Sequence, residues 1–494
     1  MSEWITPATT PVTLDGEHLT IEDLVAISGG ARVELAPSAR SRMVGSTAPV
    51  VRAKWAWIAG DAPEEGYTDL VRGFVLGHCA GVGDVLPAAH VRAIVAARVN
   101  VFASGRSGVR AELADRLLAL LNDDRVPVVR SQGPVGAAGS AVLAEIARVV
   151  SGWGGRVWSG SDMVNAPPSE FVPTEKEALA LVNGATYDTA LAALALYRAD
   201  RLLDTAEAAC GLSFEVMKAD PSCLSARALE ARRHPGAIRV AARLRARCDG
   251  SELVQPRGEA DSFSIRCAPA VLGAARDAVA YVRGVVEQEL NGAGDNPLHF
   301  DGEQVEAGNF HGAPVALVMD HLKVALTQVA SISERRIFRL TYGELSGLPS
   351  FLLPGDGINN GLMLAQYTAA SLVSECKGLA HPASVDSIPT VQHHEDHVSM
   401  GSVAARTALH VADLLADVLA IELLCAAQGL EFRLDGEKSD AAGRVEATAP
   451  LRPGAGNRAT FDEVRRHVPR WVDDRVMHPD LAALGAAVRS GVFI

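Results

Sequence analysis

The feature that most constrains this chain is a succession of long stretches with helical apolar periodicity. From Met319 through Ser333-Glu-Arg-Arg336, apolar residues recur at Leu322, Val324, Ala325, Val329 and Ile332. That spacing of three and four lines one face of a helix. A second stretch runs over roughly 361–380 and stops before His381-Pro-Ala-Ser, and a third covers about 402–428. Residues 186–250 carry the same periodicity over two or three helices. Helices of about 20 residues or more, one after another, build a central bundle rather than a sheet. The fold expected is mainly α.

The chain has 494 residues and is 48% hydrophobic, enough to bury a large core. Its aromatic share is only 5%, so Ala, Val and Leu carry the packing, which favours long helices over β-rich cores. The net charge is -13, and no basic run of the kind that tracks phosphates occurs, which excludes nucleic acid as a partner. Cys79, Cys210, Cys223, Cys248, Cys267, Cys376 and Cys425 are scattered, with no Cys-x-x-Cys pair. An odd number without a framework points to reduced thiols. Met1-Ser-Glu-Trp-Ile-Thr-Pro is no signal peptide. No apolar run approaches the ~20 residues of a membrane span. The expectation is a cytoplasmic protein with no membrane partner.

Ahead of the long helices the chain is mixed. Val12-Thr-Leu and Arg32-Val-Glu-Leu read as short strands. Between them a helix begins at Thr20-Ile-Glu-Asp, where Thr20 and Asp23 form an N-cap pair. A helix is expected over 37–60 and another over 140–152, followed by a polar insert at 153–173 that behaves as a loop. Glu175-Lys-Glu-Ala-Leu-Ala-Leu-Val-Asn-Gly184 reads as a helix closed by an Asn-Gly turn. The division expected is a mixed N-terminal domain over 1–185 and a long-helix bundle over 186–494. No internal repeat and no low-complexity segment are found.

The motifs that carry chemistry begin at Gly133-Pro-Val-Gly-Ala-Ala-Gly139. The Gly-x-x-Gly-x-x-Gly spacing is wrong for a dinucleotide fingerprint, and no strong strand is expected before it. Further on come Glu259-Ala-Asp-Ser-Phe-Ser-Ile-Arg-Cys267, Gly294-Asp-Asn-Pro-Leu298, Gly308-Asn-Phe-His-Gly-Ala-Pro314 and Gln392-His-His-Glu-Asp-His397. Together with Arg72-Gly-Phe-Val-Leu-Gly-His78 and Asn100-Val-Phe-Ala-Ser-Gly, these segments resemble the histidine ammonia-lyase branch of the aromatic amino acid lyases. The resemblance spans nearly the whole chain. It implies a homotetramer with each pocket assembled from more than one subunit.

In that family an Ala-Ser-Gly triplet cyclises to the electrophile 4-methylideneimidazole-5-one, and the Ser hydroxyl leaves as water to create the exocyclic methylidene. The matching residues here are Ala137, Ala138 and Gly139, and Ser140 replaces the Asp that follows. An alanine methyl is no leaving group, so no cofactor is expected. Trp57 matches the family's loop tyrosine, and indole N–H is a donor that cannot take up a proton. Tyr67 stands nearby as a possible substitute. Phe263 and Ala260 replace a second Tyr and a Gln.

The resemblance also implies which groups bind. His78, Asn183, Arg266, Asn296, Phe310 and Glu395 match the family's pocket, and Arg266 forks onto a substrate carboxylate there. His394 replaces a Gln and stands beside Glu395, a pairing that would make the imidazole a general acid or base. Three His and two carboxylates in 392–397 suggest a metal site, but the spacing is not His-Glu-x-x-His, and no metal is expected.

The function expected from these losses is a repurposed enzyme rather than a conventional ammonia-lyase. It would act on a carboxylate-bearing, amino-acid-like or unsaturated acid, held by Asn183, Arg266, Asn296, Phe310, Phe263 and Trp57. His78, His394 and Glu395 would move protons in an addition, elimination, cyclisation or isomerisation. The alternative is a catalytically silent homologue that binds a ligand or stabilises a partner.

Overall fold

The computed structural model describes residues 4–5, 7–44, 67–137, 140–353, 359–439 and 445–493. They are mainly helical. Four helices dominate: Thr186–Val216 with 31 residues, Ala268–Asn291 with 24, Ala313–Thr341 with 29 and Gly401–Leu434 with 34. Each is rich in Ala and Leu and free of proline beyond its first turn, so propensity and apolar periodicity agree along its length. The helix expected over 361–380 is Met363–Leu379. The strands among the described residues are short and form five two-stranded sheets.

The chain divides into two compact units. One comprises Met1–Tyr197, Val282–Asp320 and Pro382–Arg406, and the other Arg198–Tyr281, His321–His381 and Thr407–Ile494.

In the first unit, Val12–Leu14 pairs in parallel with Val33–Leu35, joined by the helix Ile21–Ser28. Thr20 and Asp23 close that helix start as a capping box, each side chain bonding the other's backbone. The helix Ala88–Ala103 is buried on nearly every side, as a core helix must be. The insert at 153–173 is not wholly a loop. Arg156–Ser159 and Asp162–Asn165 form an antiparallel hairpin turned at Gly160. A short strand, Arg130–Gln132, does precede the glycine segment, paired with Val82–Val85.

The second unit holds a fully buried ion pair. Arg336 meets Glu422 through Nε at 2.5 Å and Nη2 at 2.8 Å, and Ser213 and Ser333 donate to the same carboxylate. Two stretches, 175–216 and Ala313–Thr341, have the length and apolarity of a membrane-crossing helix, against the expectation from the sequence. Their most apolar windows are 94% and 67% buried inside the protein, as in core helices.

Candidate active site

Three stretches distant in sequence meet at the glycine segment. The Met400 N–H donates to the Val135 carbonyl at 2.8 Å, and the Gly312 N–H donates to the Gly136 carbonyl at 2.9 Å. The Ser399 hydroxyl donates to the same Gly136 carbonyl at 2.6 Å, and the Ser402 hydroxyl to that of Pro134. Ala137, Val398 and Met400 are buried together, with Val135, Phe310 and Ala383 packed against them. Ala137 and Phe310 are thus brought into one cluster. Ala138, Gly139 and Trp57 lie outside the described residues, and Tyr67 opens the helix Tyr67–His78.

Ser140 is the only hydroxyl-bearing residue between 133 and 140. It is buried and caps the helix Ala141–Val150, its Oγ accepting from the Leu143 N–H at 3.3 Å. A capping oxygen satisfies an amide that the helix start leaves unpaired.

His78 ends its helix half-buried, with Phe74 beside its ring. Its Nδ1 donates to the Phe74 carbonyl at 2.8 Å. A carbonyl only accepts, so in the neutral ring the lone pair sits on Nε2.

Asn183 is buried just after the helix Glu175–Val182. Its Nδ2 donates to Asp295 Oδ1 at 3.2 Å and to the Asn296 carbonyl at 3.0 Å. Its own Oδ1 is buried without a hydrogen-bond partner. Asn296 in turn donates from Nδ2 to Glu306 at 3.0 Å and accepts from the Ala307 N–H at 2.7 Å. Beneath them Asp295 meets Lys176 at 3.2 Å and Arg98 at 3.7 Å. Burial pushes the Asp295 carboxyl up, but Lys176 and Arg98 outweigh it and hold the group below its ordinary range.

Glu395 is half-buried, and its carboxylate accepts from the Thr390 hydroxyl. His393, His394, Asp396 and His397 are exposed. The turn before them is left-handed at Val391, Gln392 and His393, with φ of 46°, 52° and 69°. A β-branched residue in that region is strained. His397 stacks on His311 at 5.6 Å between centroids, within 7° of parallel. Among the described residues, no group of three or more His, Cys, Asp or Glu is placed to hold a metal ion.

Arg266 and Phe263 belong to the second unit, on the short helix Phe263–Arg266. Both are exposed in a single chain, with the guanidinium 5.0 Å from the Phe263 ring centroid.

Sequence reasoning missed Asp188. It lies on Thr186–Val216 at 1% exposure, with Oδ2 lacking a hydrogen-bond partner. A methyl carbon added at Gly136, Gly312 or Gly401 would come within 3.0, 2.9 or 2.5 Å of that oxygen. Burial, with a smaller push from Glu289, raises the carboxyl to about 8. The available signal was the one charged residue in 186–197, the apolar opening turns of that helix.

The aromatic amino acid lyase family model matches residues 59–465. The chain belongs to that family. A histidine ammonia-lyase of Anaeromyxobacter sp. (strain K) is 42% identical, over 97% of this chain and 98% of its own length. Another, from Caldanaerobacter subterraneus subsp. tengcongensis, is 40% identical, over 97% of each. The crystal structure of histidine ammonia-lyase from Trypanosoma cruzi superposes with a TM-score of 0.86 at 34% identity, covering 98% of this chain and 94% of that one.

These likenesses overturn the expectation of a repurposed or silent homologue that is no conventional ammonia-lyase. Full-length relatives at about 40% identity bear the name histidine ammonia-lyase. The expectation of no cofactor falls with it, because it rested on one side chain set against a resemblance along the whole chain. That side chain remains a fact of the sequence. Ala138 carries no hydroxyl, and the hydroxyl of Ser140 caps a helix, so the residues present do not supply the hydroxyl whose loss as water would create the methylidene.

Proposed function

We propose that this protein is an ammonia-lyase of the histidine type, removing ammonia from an α-amino acid to leave an α,β-unsaturated acid. The observation that carries the reading is about 40% identity with histidine ammonia-lyases over nearly the full length of both chains. Retention of His78, Asn183, Arg266, Asn296, Phe310 and Glu395 supports it.

Each role follows from side-chain chemistry. Arg266 offers a planar fork that matches a carboxylate with two parallel hydrogen bonds. Asn183 keeps an unpaired Oδ1 that can accept from a substrate N–H. Glu395, steadied by Thr390, suits the cationic or N–H edge of an imidazole, and Phe310 gives the pocket an apolar wall. The Nε2 lone pair of His78 can take or return a proton; His394 is the second candidate for that work. Phe263 and Trp57 are assigned to the substrate's surroundings. We assign the assembly as a homotetramer in which each pocket draws on more than one copy, an arrangement for which an Arg266 exposed in one copy is available. The seven free thiols suit a reducing, cytoplasmic setting.

The test is urocanate formation from L-histidine, followed by absorbance, for the chain as it stands and for Ala138→Ser. Turnover by the unaltered chain establishes the reading. Turnover only in the Ser variant shows a histidine-lyase pocket held back by residue 138 alone. No turnover by either variant, with both folded, overturns it.

A further inference from the structure

We propose that Asp188 is a positioning residue that locks the segment 133–137 against 310–312 and 399–401, and that loss of its proton releases the lock. The assignment rests on where the carboxyl group sits. Three glycines from three separate stretches, Gly136, Gly312 and Gly401, leave room around one oxygen, and a side chain at any of them would collide with it. The same three stretches bind one another through the Gly136 carbonyl, which accepts from Gly312 and Ser399. The carboxyl therefore fills the seam where they join.

Among the described residues, the backbone amides at the seam are already engaged. The Gly312 N–H is bonded to Gly136, that of Gly401 to Ser399 Oγ at 3.1 Å, and that of Met400 to Val135. The charged groups facing it give no relief. Glu289, from Ala268–Asn291, repels it, and Tyr187 is its own neighbour on the helix. Arg406, from Gly401–Leu434, acts on Tyr187. An ionised carboxylate in a buried seam whose amides are engaged is costly, so the group keeps its proton while the seam is closed. Opening the seam to water lets the proton leave, which couples the two events.

The sign follows. A carboxyl that titrates near 8 when closed and near its ordinary 3.8 when open favours closure below the lower value. That advantage declines as the pH rises and levels off once the closed form also ionises. The reading does not depend on which amino acid the pocket takes.

The test is hydrogen–deuterium exchange on the full chain from about pH 5 to about pH 9.5, corrected for intrinsic exchange. Peptides covering 131–137, 308–314 and 398–404 would be followed in the native protein, Asp188→Asn and Glu289→Gln. Native protection should fall by up to about tenfold per pH unit and level off near pH 8. Asp188→Asn should abolish the slope. Glu289→Gln should move the levelling point to lower pH, because removing a like charge eases ionisation. A flat native profile, or an undiminished slope in Asp188→Asn, overturns the proposal. If Asp188→Asn does not fold, an unmoved levelling point in Glu289→Gln overturns it.

Discussion

Asn183 donates its side-chain amide to the main-chain carbonyl of Asn296 at 3.0 Å, across 113 residues of sequence. The same nitrogen donates to Asp295, so one buried amide ties the end of the helix Glu175–Val182 to the Gly294-Asp-Asn-Pro turn. Asn183→Leu removes both bonds; Asp295 Oδ1 keeps the Asn296 N–H at 2.7 Å, but the Asn296 carbonyl loses the Asn183 amide. The expected cost is about 1–3 kcal/mol, that of one buried group left unsatisfied, measured by urea denaturation.

Asp295 sets a limit on acid stability. Although burial raises its carboxyl, Lys176 and Arg98 bring it below 3.8 in the folded chain. As the pH falls the unfolded chain therefore takes up this proton first. Stabilisation present above about pH 4 is lost as the pH drops through the folded value. Lys176→Met removes one of the opposing charges and should move the acid-unfolding midpoint to higher pH, as followed by circular dichroism.

Ser140 should behave as a structural cap. Ser140→Ala leaves the Leu143 N–H without its partner and is expected to destabilise by about 1 kcal/mol. A thermal melt checks this, and an unchanged melt would refute the capping role.

Arg266 gives the opposite pattern. Exposed and stacked on Phe263, it contributes little to a single chain, so Arg266→Ala should change stability by less than about 0.5 kcal/mol. Thermal stabilisation by an added amino acid or its unsaturated acid should nevertheless vanish in the variant. Arg266→Lys should fail to restore it, since an ammonium does not reproduce a bidentate fork.

Arg336 and Glu422 make the strongest stability prediction. Both side chains are wholly buried, and Arg336→Met strands a carboxylate with only two serine hydroxyls. The expected loss is about 3–5 kcal/mol, read by chemical denaturation.

Long-range periodicity carried most of the fold. The Met319–Arg336 pattern lies within Ala313–Thr341, and the Thr20–Asp23 pair closes as the capping box its residue types imply. Short elements were harder. The hairpin at 156–165 has arms of four residues, too few for alternation to rise above a polar, glycine-rich background. At the site, residue types showed which groups were kept but not how they are held. Nothing local in Arg266 reveals its exposure, and Asp188 is one of five acids on its helix, with nothing in the residue type to say that it is buried. Function is not legible from the sequence because the departures at Ala138, Ser140, Trp57, Phe263 and Ala260 stand against motifs along the whole chain, and a single sequence does not show how similar its relatives are.

The hydroxyl of Ser402 reaches back across 268 residues to Pro134, and this distance governs when the site can form. On a ribosome adding about 5–20 residues per second, the glycine segment emerges tens of seconds before the residues that fasten it. Until then Ala137 and Phe310 have no Met400 or Val398 to cover them. A nascent chain must carry that apolar surface uncovered, so pauses or truncations between 137 and 398 are where chaperones would be needed most.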